Sequence, residues 1–461
     1  LNCPDYPPAP QCAKEFFQHP ECFILGNVEF PHIDRITMHF AEEHTASYYA
    51  ATVNQPTSYP RLRDDIRVDV CIIGGGFTGV SAALALAERS FNVCLLEANR
   101  VGWGASGRNG GQVISGVGGH RKMTSERPEL DDVLWEMGWR GHEIIRERVG
   151  KYGIDCDLKD GYADVALKPR HLREFEKEFA EFERRKVPFE HKLLNRQETQ
   201  DALGTDAYIG AHVIMGNGHL HPLNLCIGEA RAAESLGAVI YEQTAALKID
   251  HGDAVRVTTA EGSVTADFVL LAGNAYQWLD QSLRSRFLPV RSYIIATEPL
   301  SEDLLDIINP HDLAVCDPNF LLIYFRLTAD KRLLFGNRFR YFGDDPKRII
   351  DNHRPKMLDI YPQLRDVRID YGWGGTIAVT LNRVPQLGRL APNVFYSHAY
   401  SGHGVNVTHL AGEVIADAIT GTLERFDVLS AFPSTRIPGV GVFGNTILNL
   451  GVLWYGLKDR L

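Results

Sequence analysis

The chain mixes short, almost wholly apolar runs with longer stretches in which apolar residues recur every three or four positions. Residues 68–72 (VDVCI) form the first run, and residues 92–96 form a second that ends at Glu97. Runs of this kind predict parallel strands buried on both faces, and the Ala- and Leu-rich segment between them predicts a helix. Residues 131–152 and 169–186 read as helices, the second with Leu172, Phe175, Phe179 and Phe182 along one packing stripe and Glu, Lys and Arg on a solvated face. A helix over 222–236 and a strand over 238–241 follow, then short strands at 245–249, 255–259 and 263–266. Residues 268–271 predict another buried strand that returns the chain to the first sheet. Alternating segments at 290–297, 321–326 and 332–337 predict an antiparallel sheet, the roof of a substrate cavity. A last apolar strand over 394–400 runs into the turn SGHG and a further helix.

Between the first two strands, Gly74, Gly76 and Gly79 stand at G-x-G-x-x-G spacing. In the context of strand, turn, helix, strand and terminal acid, this is a dinucleotide fingerprint. Gly74 permits the turn, Gly76 lets backbone N–H groups approach a pyrophosphate at the helix N-terminus, and Gly79 lets helix and sheet pack closely. Glu97 is placed to accept hydrogen bonds from an adenosine ribose. The glycine-dense stretch after it, GWGASGRNGGQV, suits backbone lying against a ligand. Within it Arg108 is a candidate for the pyrophosphate, with a surface charge as the plain alternative. Gly273, in AGNAY, is expected to approach the same ligand, and the helix after SGHG to point its N-terminus at an electron-rich group. From the first motif alone an NAD-dependent dehydrogenase remains open; the later glycine segments disfavour it.

A chain of 461 residues predicts two domains. The net charge of −10 argues against a nucleic-acid partner, which needs a basic face, and a small-molecule partner is expected. Eight cysteines without a C-x-x-C pair, with Cys71 and Cys94 inside predicted strands, fit a reducing cytoplasm. His142 with Glu143 forms no HExxH motif and His219 with His221 lacks further ligands, so no metal is assigned. Residues 1–37 hold three cysteines and no clear periodicity, and are expected to be an extension ahead of a protein that begins near Met38. Residues 437–457 carry no charge, yet Pro438, Asn445, Asn449 and five glycines favour packing of this tail on the protein over membrane contact.

Several segments carry a resemblance: SYYAAT (47–52), DVCIIGGGFTGVSAALALAER, LLEANRVGWGASGRNGGQ, GWGG, NRVPQLGR and YSGHGVNVTHLAGEVIADAI. On these the chain, from about residue 44 onward, resembles the D-amino-acid oxidase superfamily of FAD-dependent amine oxidoreductases. The resemblance implies an α/β fold: a Rossmann-like FAD-binding domain (66–150, 212–285 and 380–461) with a discontinuous α+β, antiparallel-sheet substrate domain (151–211 and 286–379). Residues 1–43 are then the extension and 44–65 an arm. The implied FAD contacts are Gly74, Gly76, Phe77, Thr78, Gly79, Glu97, Ala98, Gly104, Ala105, Ser106, Arg108, Asn109, Gly110 and Gly111. Ala246, Leu247 and Gly273 belong near the adenosine half, and Gly402, His403, Gly404 and Val405 by the flavin pyrimidine. No Cys lies in 372–381, where some relatives tether the flavin, so noncovalent FAD is expected.

The resemblance also implies oxidation of an amine, by hydride transfer to the flavin and hydrolysis of the imine. Relatives that act on α-amino acids clamp the adjacent carboxylate with Arg or Lys. Here the corresponding stretches read GGTIAVT and AYSGHG, and Asn406 stands where a Lys is found in sarcosine oxidases. An amine with a distant carboxylate, such as γ-glutamylputrescine, is therefore expected. His403, Tyr324 and Trp373 are the catalytic candidates. Tyr293, Arg291, Arg326, Arg338 and Asn406 are the substrate-binding ones, the arginines for the distant carboxylate. Each is weighed against a plain core or surface role. The alternatives are oxidation of another amine or N-methyl amino acid, as in sarcosine or glycine oxidases, and a non-catalytic flavin-binding protein.

Overall fold

The computed structural model describes residues 41–319, 322–337 and 345–437. The expectations for residues 1–37, for Arg338 and for 438–457 lie outside the described residues.

Two sheets organise these residues. In the first, Asp65–Ile73 pairs in parallel with Val93–Leu96 on one side and Ser263–Leu271 on the other. Val239–Tyr241 continues the sheet beyond Val93–Leu96, and Val394–His398 continues it beyond Ser263–Leu271, both in parallel. Gln386–Ala391 closes that edge as an antiparallel strand. A hairpin of Lys248–Asp250 and Val255–Thr258 brings the described sheet to eight strands.

The segments 263–266 and 268–271, expected as separate strands, are one. Along one edge Ser263–Leu271 pairs with Asp65–Ile73 throughout. Along its other edge the partner changes at Asp267, from Val255–Thr258 to Val394–His398. Asp267 ion-pairs with Arg67 at 2.7 Å, so the charge that interrupts the apolar run marks a change of neighbour, not a break in the backbone.

Phe77–Ala87 is buried along its whole length, which its lack of charged residues allows. It packs against Gly404–Ile419 so closely that a Cβ on Gly412 would sit 2.5 Å from Ser81 Oγ. Asp131–Tyr152 starts with two aspartates, favourable at the positive end of a helix dipole, and ends at Gly153 with φ 60°. On Pro169–Arg185 the apolar stripe packs inward, with Phe175 and Phe182 buried.

One buried ionic group ties four helices. Arg148 Nη1 donates to Glu229 Oε1 and to Ser81 Oγ, both at 2.8 Å, and His409 Nε2 lies 3.1 Å from Glu229 Oε2. Burial alone would raise the Glu229 carboxyl, but His409 and Arg148 hold it below the usual range. The four residues come from Phe77–Ala87, Asp131–Tyr152, Pro222–Ser235 and Gly404–Ile419.

The second sheet has nine described strands, more than periodicity predicts. Its centre is the expected antiparallel set Leu288–Thr297, Leu333–Asn337 and Ile323–Leu327. Ile369–Val379 pairs with Leu288–Thr297 at one edge. On the other side come Ala314–Cys316, Lys159–Ala166, Gly210–His219 and Gln112–Val113, with His191–Leu194 branching from Gly210–His219. These added strands escape a pattern reading because glycines and polar residues interrupt them, as in KDGYADVA. Their two faces meet different cores. Tyr293, Ile295, Phe325 and Phe335 share a core with residues of Pro346–Ile360, while Ile294, Ala296, Leu334 and Trp373 share the core of the helices on the first sheet.

Candidate functional site

Three loops leave the first sheet at the carboxyl ends of adjacent parallel strands, the place where open α/β sheets bind ligands. They are residues 74–77, 272–276 and 399–404. Gly74 takes φ +114°, and a Cβ there would lie 2.8 Å from Ala272 O, so the first two loops touch through bare backbone. A Cβ on Gly79 would lie 1.9 Å from Gly74 O, which is why the third glycine of the motif admits no side chain. Gly76 stands at the N-cap of Phe77–Ala87 with no side-chain cap. The Phe77 N–H donates to Ser106 Oγ at 2.9 Å, so the glycine-dense loop reaches the same helix end. Orphan N–H groups and the helix dipole make this end a seat for a pyrophosphate.

Glu97 ends Val93–Leu96 as expected. Its Oε2 accepts from Gly75 N–H at 2.7 Å and its Oε1 from Asn99 N–H at 2.8 Å. Burial pushes its carboxyl up to about 7, against the pull of those backbone bonds. A ribose hydroxyl supplies a further donor to such a carboxylate. Ala98 follows it, half-buried. Ala246 is buried beneath the same region, whereas Leu247 is exposed and pairs through its N–H with Thr258 O. Gly273 lies beside Gly74: the added Cβ would be 3.1 Å from Gly273 N.

The third loop is conformationally strained. Ala399, Ser401 and Gly402 all have positive φ, at 62°, 55° and 103°, and Asn274 in the neighbouring loop has φ 46°. For the non-glycine residues such backbone costs about 1–3 kcal/mol each and persists where the surroundings impose it. Asn274 Oδ1 accepts from Ala399 N–H at 3.0 Å, and Ser401 N–H donates to Ala378 O at 3.1 Å. The strain presents the N-terminus of Gly404–Ile419, with His403 at the N-cap, half-buried, and Val405 buried behind it. Tyr400, which the sequence reasoning missed, joins the loops. Its hydroxyl lies 2.7 Å from both Thr78 Oγ1 and Ser397 Oγ. Its position next to the SGHG turn was the available signal.

The glycine-dense loop crosses from the first sheet to the second. Asn109 braces it, donating to Ala105 O and Ser106 O and accepting from Gly111 N–H. A Cβ on Gly104 would lie 3.4 Å from the Tyr276 ring, and one on Gly110 would lie 2.7 Å from the Tyr324 ring. Tyr324 is half-buried, with its hydroxyl 3.4 Å from Ser292 Oγ, so of the catalytic candidates Tyr324 and His403 border the site.

Other candidates are corrected by their surroundings. Trp373 is buried in the core and its indole N–H donates to Arg108 O at 3.0 Å; it holds the loop instead of facing a substrate. Tyr293 is fully buried in the core on the opposite face of the second sheet, 6.1 Å ring to ring from His353. Arg326 is buried with donors on Gly110 O, Leu220 O, Leu327 O and Tyr49 OH, which makes it a clamp on the glycine loop. Asn406 gives its NH₂ to Gly116 O and Gly138 O, and its Oδ1 lies 3.0 Å from His142 Nδ1, so its amide is used in helix packing. These contacts are long-range and leave no mark on local sequence. Arg291 shares the Tyr293 face of the strand, half-buried, with its guanidinium 5.9 Å from the Tyr293 ring and Nη1 3.4 Å from Thr376 Oγ1, so it too faces away from the site.

Among the described residues no three His, Cys, Asp or Glu side chains converge as metal ligands, and no helix is long and apolar enough to cross a membrane.

Comparison with known proteins agrees with this geometry. A family profile described as FAD dependent oxidoreductase matches residues 69–418. The chain is 42% identical over 423 residues to γ-glutamylputrescine oxidoreductase of Escherichia coli K12, spanning 91% of this chain and 99% of that protein. It is 41% identical to a probable oxidoreductase of Haemophilus influenzae, over 91% of this chain and 98% of that one. Among solved structures, glycine oxidase of Geobacillus kaustophilus shares the fold, with TM-score 0.67 and 22% identity over 80% of this chain and 99% of that one.

Proposed function

The chain belongs to the FAD-dependent oxidoreductase family, and from that premise we propose that it deaminates γ-glutamylputrescine to γ-glutamyl-γ-aminobutyraldehyde with release of ammonia. The observation that carries the substrate is the 42% identity to the E. coli γ-glutamylputrescine oxidoreductase along nearly all of both chains. The absence of Arg and Lys from GGTIAVT and AYSGHG supports it, because an α-carboxylate beside the reacting amine finds no cation in those stretches.

FAD, when bound, accepts a hydride equivalent from the carbon that bears the neutral amine. The protein supplies the rest. The N-terminus of Phe77–Ala87 holds the pyrophosphate, and Glu97 orients the ribose. The N-terminus of Gly404–Ile419 favours negative charge placed before it. The half-buried Tyr324 ring and Ser292 hydroxyl offer a poorly hydrated surface against which an ammonium loses its proton more easily than in water. Without a Cys in 372–381 the flavin is held noncovalently. The five described cysteines are all free and buried, which supports a reducing, cytoplasmic setting.

Anaerobic γ-glutamylputrescine is expected to bleach the flavin band of the purified protein faster than putrescine, sarcosine or glycine. Bleaching by sarcosine or glycine in its place overturns the substrate, and no bleaching by any amine overturns the activity.

A further inference from the structure

We propose that Arg108 anchors the substrate's carboxylate and so determines specificity, a role distinct from the pyrophosphate contact that its place in the sequence suggests. This deepens the amine-oxidising reading above and rests on it. Arg108 is only 8% exposed. Its Nε donates to Trp103 O at 2.7 Å, its Nη1 reaches Gly374 O at 3.4 Å, and its Nη2 is buried with no hydrogen-bond partner among the described residues. No described carboxylate forms an ion pair with it. A guanidinium stays charged at any ordinary pH, and a buried one with an open donor is costly unless an anion completes it. The weakly used Nη1 and the open Nη2 form the edge that a planar carboxylate engages through two parallel bonds.

The side chain is held ready for that contact. Its guanidinium stacks over the Trp103 ring at 4.2 Å, and its own carbonyl is fixed by Trp373. Gly375 packs against it, and a Cβ there would lie in ordinary contact 3.4 Å from Arg108 Cβ. Burial is the main influence lowering its pKa; Tyr276 opposes it and the positive charge of Arg291 adds to it. Apart from Tyr276, these neighbours belong to the second sheet and to Trp103. The pyrophosphate seat is served from elsewhere in the loop, by Ser106, whose Oγ lies 2.9 Å from the position of a Cβ on Gly76. Arg108 and Ser106, two residues apart, therefore face different ligands.

The test compares Arg108→Met and Arg108→Lys with the wild-type holoenzyme. Glutarate, a carboxylate that carries no amine to oxidise, is titrated against the flavin spectrum, with neutral glutaramide as control. Wild type is expected to bind glutarate at least ~10-fold more tightly than glutaramide, the worth of one charged hydrogen-bonded contact, and Arg108→Met to abolish the difference. The ratio of kcat/KM for γ-glutamylputrescine over N-acetylputrescine, which lacks the carboxylate, is expected to fall about 10- to 100-fold in Arg108→Met, mainly through KM, with partial recovery in Arg108→Lys. FAD content is expected to match wild type. Equal binding of the two probes by wild type overturns the proposal without need of a variant. Loss of FAD from both variants with an unchanged substrate ratio returns Arg108 to the pyrophosphate. Failure of wild type to oxidise γ-glutamylputrescine overturns the proposed substrate, while the glutarate titration still reads Arg108.

Discussion

The two sides of the crevice are built in opposite ways. Toward the first sheet the crowding is of backbone on backbone: Gly79 against Gly74 O and Gly74 against Ala272 O. Toward the second it is met by side chains: Tyr324 over Gly110, Arg326 on Gly110 O, Trp373 on Arg108 O. A cradle of backbone recognises the part of a cofactor that never varies and tolerates no added atom. A wall of side chains can be redrawn residue by residue while the backbone stays in place. Cofactor binding is therefore the brittle property of this chain and substrate choice the adjustable one.

The largest effect expected from this contrast comes from making one change on each side. Gly79→Ala places a Cβ 1.9 Å from Gly74 O. It is expected to cost ~3 kcal/mol or more and to give protein without FAD, because the turn must open. Gly375→Ala meets Arg108 Cβ at 3.4 Å, an ordinary contact, and is expected to cost under ~1 kcal/mol and to keep FAD. Flavin content and urea midpoints of the two variants measure this, and equal losses break the comparison.

Buried charge sharpens it next. On the first-sheet side Glu229 is paired with Arg148 and His409, and on the second-sheet side Arg326 is held by carbonyls and a phenol. Glu229→Gln strands a buried cation and is expected to cost about 3–5 kcal/mol. Arg326→Met leaves only neutral acceptors unsatisfied, at about 1–3 kcal/mol. Chemical denaturation of both orders them.

The smallest effect is a pH dependence carried by Glu97. Burial raises its carboxyl from the ordinary 4.5 to about 7. Between these values the folded apoprotein holds a proton that the unfolded chain has released, so stability falls as pH rises. The contribution is complete below pH ~4.5 and is lost by the time pH passes 7, and solvent access at the crevice limits it to about 1–2 kcal/mol. The apoprotein's Tm is expected to drop more between pH 5 and 8 in wild type than in Glu97→Gln.

Local order of residues settles a good part of this molecule. The 74–79 turn, the helix after it, Glu97 at the strand end and the glycine turns at 273 and 402–404 are legible because each depends on neighbours within a few positions. A run of apolar residues makes a buried strand, and only glycine fits where two backbones touch. The helix Asp131–Tyr152 has the predicted bounds for the same reason, with its acidic first turn and a glycine beyond its last residue. The second sheet is less legible, since strands such as Lys159–Ala166 and Gly210–His219 are built from interrupted patterns that become strands only beside each other.

The roles of the arginines were decided by the tertiary structure alone. Arg108, Arg291 and Arg326 are alike as letters in a sequence. What separates them is that Arg326 ends among four acceptors, Arg108 ends with a donor open in a buried space, and Arg291 lies over the Tyr293 ring on the other face of the sheet. A side chain as long and flexible as arginine reaches partners hundreds of positions away, such as Gly374 for Arg108, and no spacing along the chain records that distance. Sequence alone determined the strand, glycine turn and helix order that build the cradle; the folding of the second sheet over it decided which cation is left with an open donor.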